Sequence, residues 1–184
     1  FRSKAFWLLE ELVKLNSNKA LLICKSKSKV LALEKFIREN SANVATAVFH
    51  SDLSLMARDR QAAFFADPEG AQILLCTEIG SEGRNFEFAS HLILFDLPSN
   101  PDYLEQRIGR LDRIGQKRDI QIHVPLVDQS PEHFLFKWYN EGFNAFTHAA
   151  KCGGILYRKF RERVEALTSE NIDELVQDTQ KEYE

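Results

Sequence analysis

Short apolar runs alternating with helical patterns predict an α/β protein, a parallel sheet flanked by helices with a helical C-terminal extension. Two observations carry this reading. The apolar runs have about the four to eight residues of buried strands, and the segments between them carry apolar residues at helical spacing. Strands joined through helices run parallel and are covered on both faces.

Taken in order, residues 1–15 form an amphipathic helix entering the first strand, Ala20–Cys24. Val30, Leu33, Phe36 and Ile37 mark one face of the next helix, and Val44–Phe49 reads as the second strand. Ser54 is the candidate N-cap of a helix that runs through Phe64 and Phe65 to the stop Asp67-Pro68-Glu69-Gly70. Gln72–Cys76 and His91–Phe95 are the third and fourth strands. A helix is expected over about Pro101–Arg113 and an alternating fifth strand over Ile120–Val127. After Pro131 the pattern is helical, dense in aromatics from Phe134 to Phe146, and Gly153-Gly154 introduces a charged tail. The expected division is a sheet domain over 1–150 and a helical extension or linker over 151–184, leading toward a further domain.

The 184 residues suit one domain with a short appendage, and a hydrophobic fraction of 44% is ordinary for a globular protein. No apolar run approaches the roughly 18 residues of a membrane span. No signal-peptide pattern is present and the chain opens on Phe1-Arg2, so it reads as a piece of a longer cytosolic polypeptide. Cys24, Cys76 and Cys152 lie far apart, and His50, His123, His133 and His148 show no ligand spacing, so no metal site is expected. A net charge of −3 excludes a generally basic nucleic-acid binder and leaves only a local patch, which the acidic residues after Leu167 would mask in the total.

The most informative run is Tyr103–Gln116, which places Arg107, Arg110 and Arg113 at spacing three. On a helix such residues share a face, and fixed guanidinium forks suit phosphate oxygens. The bland alternative is a solvated basic helix end. In open parallel sheets ligands sit beyond the carboxyl ends of the strands. There, Lys25-Ser-Lys-Ser-Lys29 enters a helix as an anion site or a solvated turn, in even balance. Thr77-Glu-Ile-Gly-Ser-Glu-Gly-Arg-Asn85 offers a strand-end hydroxyl, with Gly80 and Gly83 allowing close backbone approach, or is an irregular turn. Asp96 ends a strand without the second acidic residue of a magnesium site, so it reads as structural. No GxxxxGK[ST] or GxGxxG pattern occurs. What remains is half of a nucleotide site.

These motifs resemble the second RecA-like lobe of a superfamily-two helicase-type ATPase of the Swi/Snf class, in its bacterial RNA-polymerase-associated branch. Gln106 to Gln116 is similar to motif six, whose Arg-Ile-Gly-Gln ending separates Swi/Snf proteins from most other helicases. Thr77–Asn85 is similar to motif five and Ala20–Ser26 to motif four, while Trp138–Phe146 points to the polymerase-associated branch. The resemblance implies that Arg110 and Arg113 are arginine fingers for ATP held with Mg2+ mainly by an absent first lobe, with Gln106 at the same interface. It further implies nucleotide contacts at Gly83 and at Asn85, where many helicases have Asp. Contacts to double-stranded nucleic acid are implied at Thr77, Lys25 and Ser26. The implied partners are the first lobe in cis, nucleic acid and RNA polymerase, in a bacterial cytoplasmic setting without membrane attachment. This stretch alone is expected to hydrolyse nothing. Two alternatives are a strand-separating helicase, which the Arg113–Gln116 ending disfavours, and a polymerase-docking module; exposed aromatics among Phe134, Trp138, Tyr139 and Phe143 would favour the docking module, ordinary core packing would not.

Overall fold

The structure, a computed structural model, describes residues 1–78, 84, 86–149 and 152–183. It divides into two compact units, one of Phe1–Asp96 with Ile108–Pro125, the other of Leu97–Arg107 with the chain from Leu126 onward. Residues 126–149 therefore belong with the tail, not with the sheet.

The first unit holds strands β1 (Ala20–Cys24), β2 (Thr46–Phe49), β3 (Ile73–Thr77), β4 (His91–Leu94) and β5 (Gln121–His123), in the order β2-β3-β1-β4-β5. Every pairing is parallel. Helices α1 (Arg2–Leu15), α2 (Lys27–Asn40) and α3 (Leu55–Ala66) belong to the same unit. β1 and β3 are buried along their whole length, which is why they are unbroken apolar runs and not alternating ones. Ala5, Leu8 and Leu12 of α1 and Val30, Leu33 and Ile37 of α2 share one core with Leu22, Leu75 and Ile93 of the sheet. A second aromatic cluster joins Phe49, Phe65 and Phe86.

Local signals act as expected at several element ends. Ser54 Oγ accepts from Ala57 N at 3.2 Å, capping α3. The helix stops before Asp67, and a Cβ at Gly70 would lie 2.0 Å from the Phe64 carbonyl oxygen, so only glycine closes this turn. β5 is shorter than the expected Ile120–Val127. Its residues are only partly buried at the sheet edge, so little packing extends it.

One polar device in this unit sets a pH dependence. His91 Nδ1 lies 3.0 Å from His123 Nε2, and His123 Nδ1 is 3.6 Å from Glu11 Oε1, beside the Trp7 ring. Burial first, and at His91 the neighbouring His123 as well, hold both imidazoles below their ordinary value of 6.5, although Glu11 opposes this. The unfolded chain therefore takes up protons before the folded one as pH falls below about 6.5. Stability is fully present above that value and is lost as pH falls toward the folded values. Melting temperature should drop between pH 7.5 and 5.5, and His91→Gln should flatten the drop; an equally steep drop in the variant would contradict the assignment.

The second unit contains most of α4 (Pro101–Ile108), α5 (Pro131–Lys137), a π-helical turn over Trp138–Gly142, α6 (Gly153–Glu165) and α7 (Ile172–Tyr183). Ser130 caps α5 through His133 N, with Pro131 at its first position. Trp138 and Tyr139 are fully buried, and Phe134 and Phe143 nearly so. Trp138 Nε1 donates to Thr179 Oγ1 at 2.8 Å, whose hydroxyl donates to the Leu175 carbonyl at 2.7 Å. Tyr139 Oη donates to the Pro98 carbonyl at 2.5 Å, and burial pushes its phenol well above the ordinary range despite the Arg107 charge. Of the two readings of this aromatic run, core packing is the one observed.

Candidate functional site

The parallel register sets Cys24 opposite Thr77 and Phe49 opposite Cys76, so the carboxyl ends of β1, β2 and β3 lie level. Lys25, Ser26 and Thr77 therefore come together at one edge of the sheet. Thr77 is almost wholly buried at its strand end, whereas Lys25 is exposed. Ser26 Oγ accepts from Lys29 N at 3.4 Å as the cap of α2 and lies 3.1 Å from Ser28 Oγ. The lysines of this loop divide by partner. Lys29 Nζ sits 2.9 Å from Asp96 Oδ2, and Lys27 pairs with Asp52. The Lys25 backbone N–H donates to Asp96 Oδ2 at 3.0 Å. Asp96, read from sequence as structural, thus ties the loop after β1 to the end of β4, while the Lys25 ammonium faces outward.

The arginine run differs from its expected form. α4 ends at Ile108, not near Arg113, so Arg110 and Arg113 do not share a helical face with Arg107. The physical reason is local. Gly109 follows the last helical residue, Leu111 N and Asp112 N both bond back to the Ile108 carbonyl, and Leu111 is drawn fully into the core. Arg107 is 2% exposed and so is an internal residue, while Arg110 is half-buried and Arg113 exposed. Arg113 Nε donates to the Gly109 carbonyl at 2.9 Å. Gln106 is exposed on α4, in the second unit. Gly83 and Asn85, expected to meet nucleotide, and Gly80 lie outside the described residues.

Residues Arg113-Ile114-Gly115-Gln116 form a β-turn. Gln116 N donates to the Arg113 carbonyl at 3.0 Å, and Gly115, third in the turn, has φ +110°. That combination is the demand of a type II turn, which favours glycine at this position. Packing adds a second demand, because a Cβ at Gly115 would lie 2.5 Å from Glu87 Oε2. The second turn residue, Ile114, is fully exposed. The Gln116 side chain bonds on to Ala89, two residues ahead of β4. The turn is therefore anchored on the segment entering β4, apart from the edge that carries Lys25 and Thr77. Gln116 was legible only as a family mark; the Gly-Gln pair after Arg113 was the signal of a turn.

Residues 3–115 match the helicase conserved C-terminal domain. The chain belongs to that family. Residues 119–184 match a second model, the RNA polymerase recycling family C-terminal domain. The chain is 52% identical over 171 residues to the RNA polymerase-associated protein RapA of Sodalis glossinidius, covering 92% of this chain and 18% of that protein. It is 49% identical to the protein of the same name from Vibrio campbellii, covering 98% of this chain and 19% of that one. The chain thus spans about a fifth of the length of the curated relatives it matches. Among solved structures, the lobe is similar to the C-terminal part of the Fun30 ATPase domain, with TM-score 0.61 and 20% identity over 72% of this chain and 44% of that one. It is also similar to the E. coli DEAD-box protein SrmB, with TM-score 0.55 and 21% identity over 66% and 70% of the two chains. These likenesses establish the RecA-like fold of the helicase C-terminal lobe. Among the described residues no group of three or more His, Cys, Asp or Glu side chains could hold a metal ion, and no helix is long and apolar enough to cross a membrane.

Proposed function

We propose that this lobe is the second half of a Swi/Snf-type ATP-dependent translocase on double-stranded nucleic acid, acting in RNA polymerase recycling. The observation that carries the reading is the Arg113 turn, which leaves a guanidinium outside this chain's own core while Arg107 is packed inside. A permanently charged, outward fork fits phosphate oxygens. ATP with Mg2+ supplies the phosphoryl group and is held mainly by the first lobe. On this chain Arg113 and Arg110 stabilise charge developing on phosphate oxygens, and Gln106 lies at the same interface. Gly83 and Asn85, outside the described residues, are the nucleotide contacts in this reading. Thr77, Lys25 and Ser26 hold the phosphate backbone of the track, on a patch separate from the arginine turn. By itself the lobe turns over no ATP.

The full-length relatives' name and the match over residues 119–184 support polymerase as the partner. A pure docking module is the weaker reading, because the aromatics that would form its apolar surface are core residues.

The track contact is tested by salt dependence. In the complete polypeptide, Lys25→Ala should weaken binding to duplexes of unrelated sequence alike and reduce the slope of log K against log salt by about 0.9. An unchanged slope would remove Lys25 from the track.

A further inference from the structure

We propose that Gln116 is a positioning residue for Arg113, setting the guanidinium's direction through a carboxamide clamp that no other side chain of its size reproduces. The inference rests on the reading of Arg113 as a phosphate-facing finger. Gln116 Nε2 donates to the Ala89 carbonyl at 3.2 Å and to the Leu111 carbonyl at 3.3 Å, and Gln116 Oε1 accepts from Arg118 N at 3.1 Å. Both amide hydrogens and the amide oxygen are therefore used. The anchors are rigid, since Ala89 and Leu111 are fully buried.

The clamp has a consequence for Arg113 because of where the three anchors lie. Leu111 and Arg118 bracket the turn in sequence, and Ala89 fixes it to the approach to β4. α4 ends at Ile108, and the bond back to its carbonyl from Asp112 N stops one residue short of Arg113, so the helix itself does not hold Arg113 in place. Its backbone is located instead by the bond from Arg113 N to the Leu111 carbonyl at 3.1 Å and by the turn that Gln116 N closes. Among the described residues the side chain is tied from Nε to the Gly109 carbonyl, which leaves its exposed end directed by the backbone beneath it. Loosening the clamp swings the turn about Gly109 and Gly115. A displacement of about 1 Å at a reacting group costs on the order of 10²-fold in rate.

A glutamate at position 116 has nearly the same shape but no N–H to donate, and it sets carboxylate oxygens against two carbonyl oxygens. In the complete polypeptide, Gln116→Glu should lower single-turnover ATP cleavage by about 10- to 100-fold, with the KM for ATP within about threefold. Gln116→Asn, which keeps the amide but is one methylene too short to span Ala89 and Leu111, should move kcat in the same direction, and serves if the glutamate variant does not fold. In an Arg113→Ala background, either change should alter the residual rate by less than about twofold, because a residue acting through Arg113 has nothing left to act on. Cleavage within about threefold of the unmodified protein in both variants would overturn the proposal. So would an equal loss with and without Arg113, which marks a general structural role. If Arg113→Ala itself retains cleavage, the finger reading fails, and that result is distinguishable from failure of the clamp.

Discussion

Arg113→Ala in the complete polypeptide should reduce ATP turnover by about 10³- to 10⁵-fold, the range for arginine fingers in other phosphoryl-transfer enzymes. The size follows from the task. A guanidinium brought to the developing charge in a water-excluded cleft stabilises the transition state far more than the ground state. Its removal should leave the fold intact, since Arg113 is exposed and its Nε bond to the Gly109 carbonyl is a surface contact. Thermal melting within a degree or two of the unmodified protein is therefore part of the expected result. Turnover that survives within about tenfold would end the finger assignment.

Trp138→Ala should have the opposite profile, a large loss of stability with no direct effect on chemistry. Trp138 is fully buried, meets Phe143 edge to face with ring centroids 4.8 Å apart, and donates to Thr179. Truncating such a residue costs about 3–5 kcal/mol. For a chain of this length the melting temperature should fall on the order of 10 °C. Trp138→Phe, which retains most of the volume and loses the N–H donor, should cost less. A fall of under about 2 °C for the alanine variant would mean that the π-helical turn and α7 are not packed together as described.

Much of the fold was legible because its signals are local. The short apolar runs Ala20–Cys24 and 73–76 read as strands buried on both faces, Ser54 marks the start of α3 by its side-chain cap, and Gly70 marks the turn after it by lacking a Cβ. The burial of the aromatics was legible as the more ordinary of two readings, but their partner was not. Trp138 is buried by Thr179 and its helix, a partner 41 residues away that no local pattern announces. The arginine run misled for the reverse reason. Spacing of three suggested one helical face, but Gly109 and the pull of Leu111 into the core end the helix at Ile108. The run consequently sorts into a buried Arg107 and an exposed Arg113, a distinction that composition cannot make. Asp96 was readable as structural, but its link to the Lys25 loop depends on β1 and β4 being neighbours, which is a matter of topology.

The central claim is that Arg113 is presented outward to meet a phosphate supplied from beyond this lobe. It is tested most directly by residue-resolved modification with an arginine-specific glyoxal reagent in the complete polypeptide, with and without a non-hydrolysable ATP analogue, Mg2+ and duplex. Arg113 should react readily in the free protein and be protected in the presence of the analogue, while buried Arg107 stays unmodified throughout as an internal control. Modification of Arg113 at the same rate in both states, under conditions where the analogue is bound, would contradict the account.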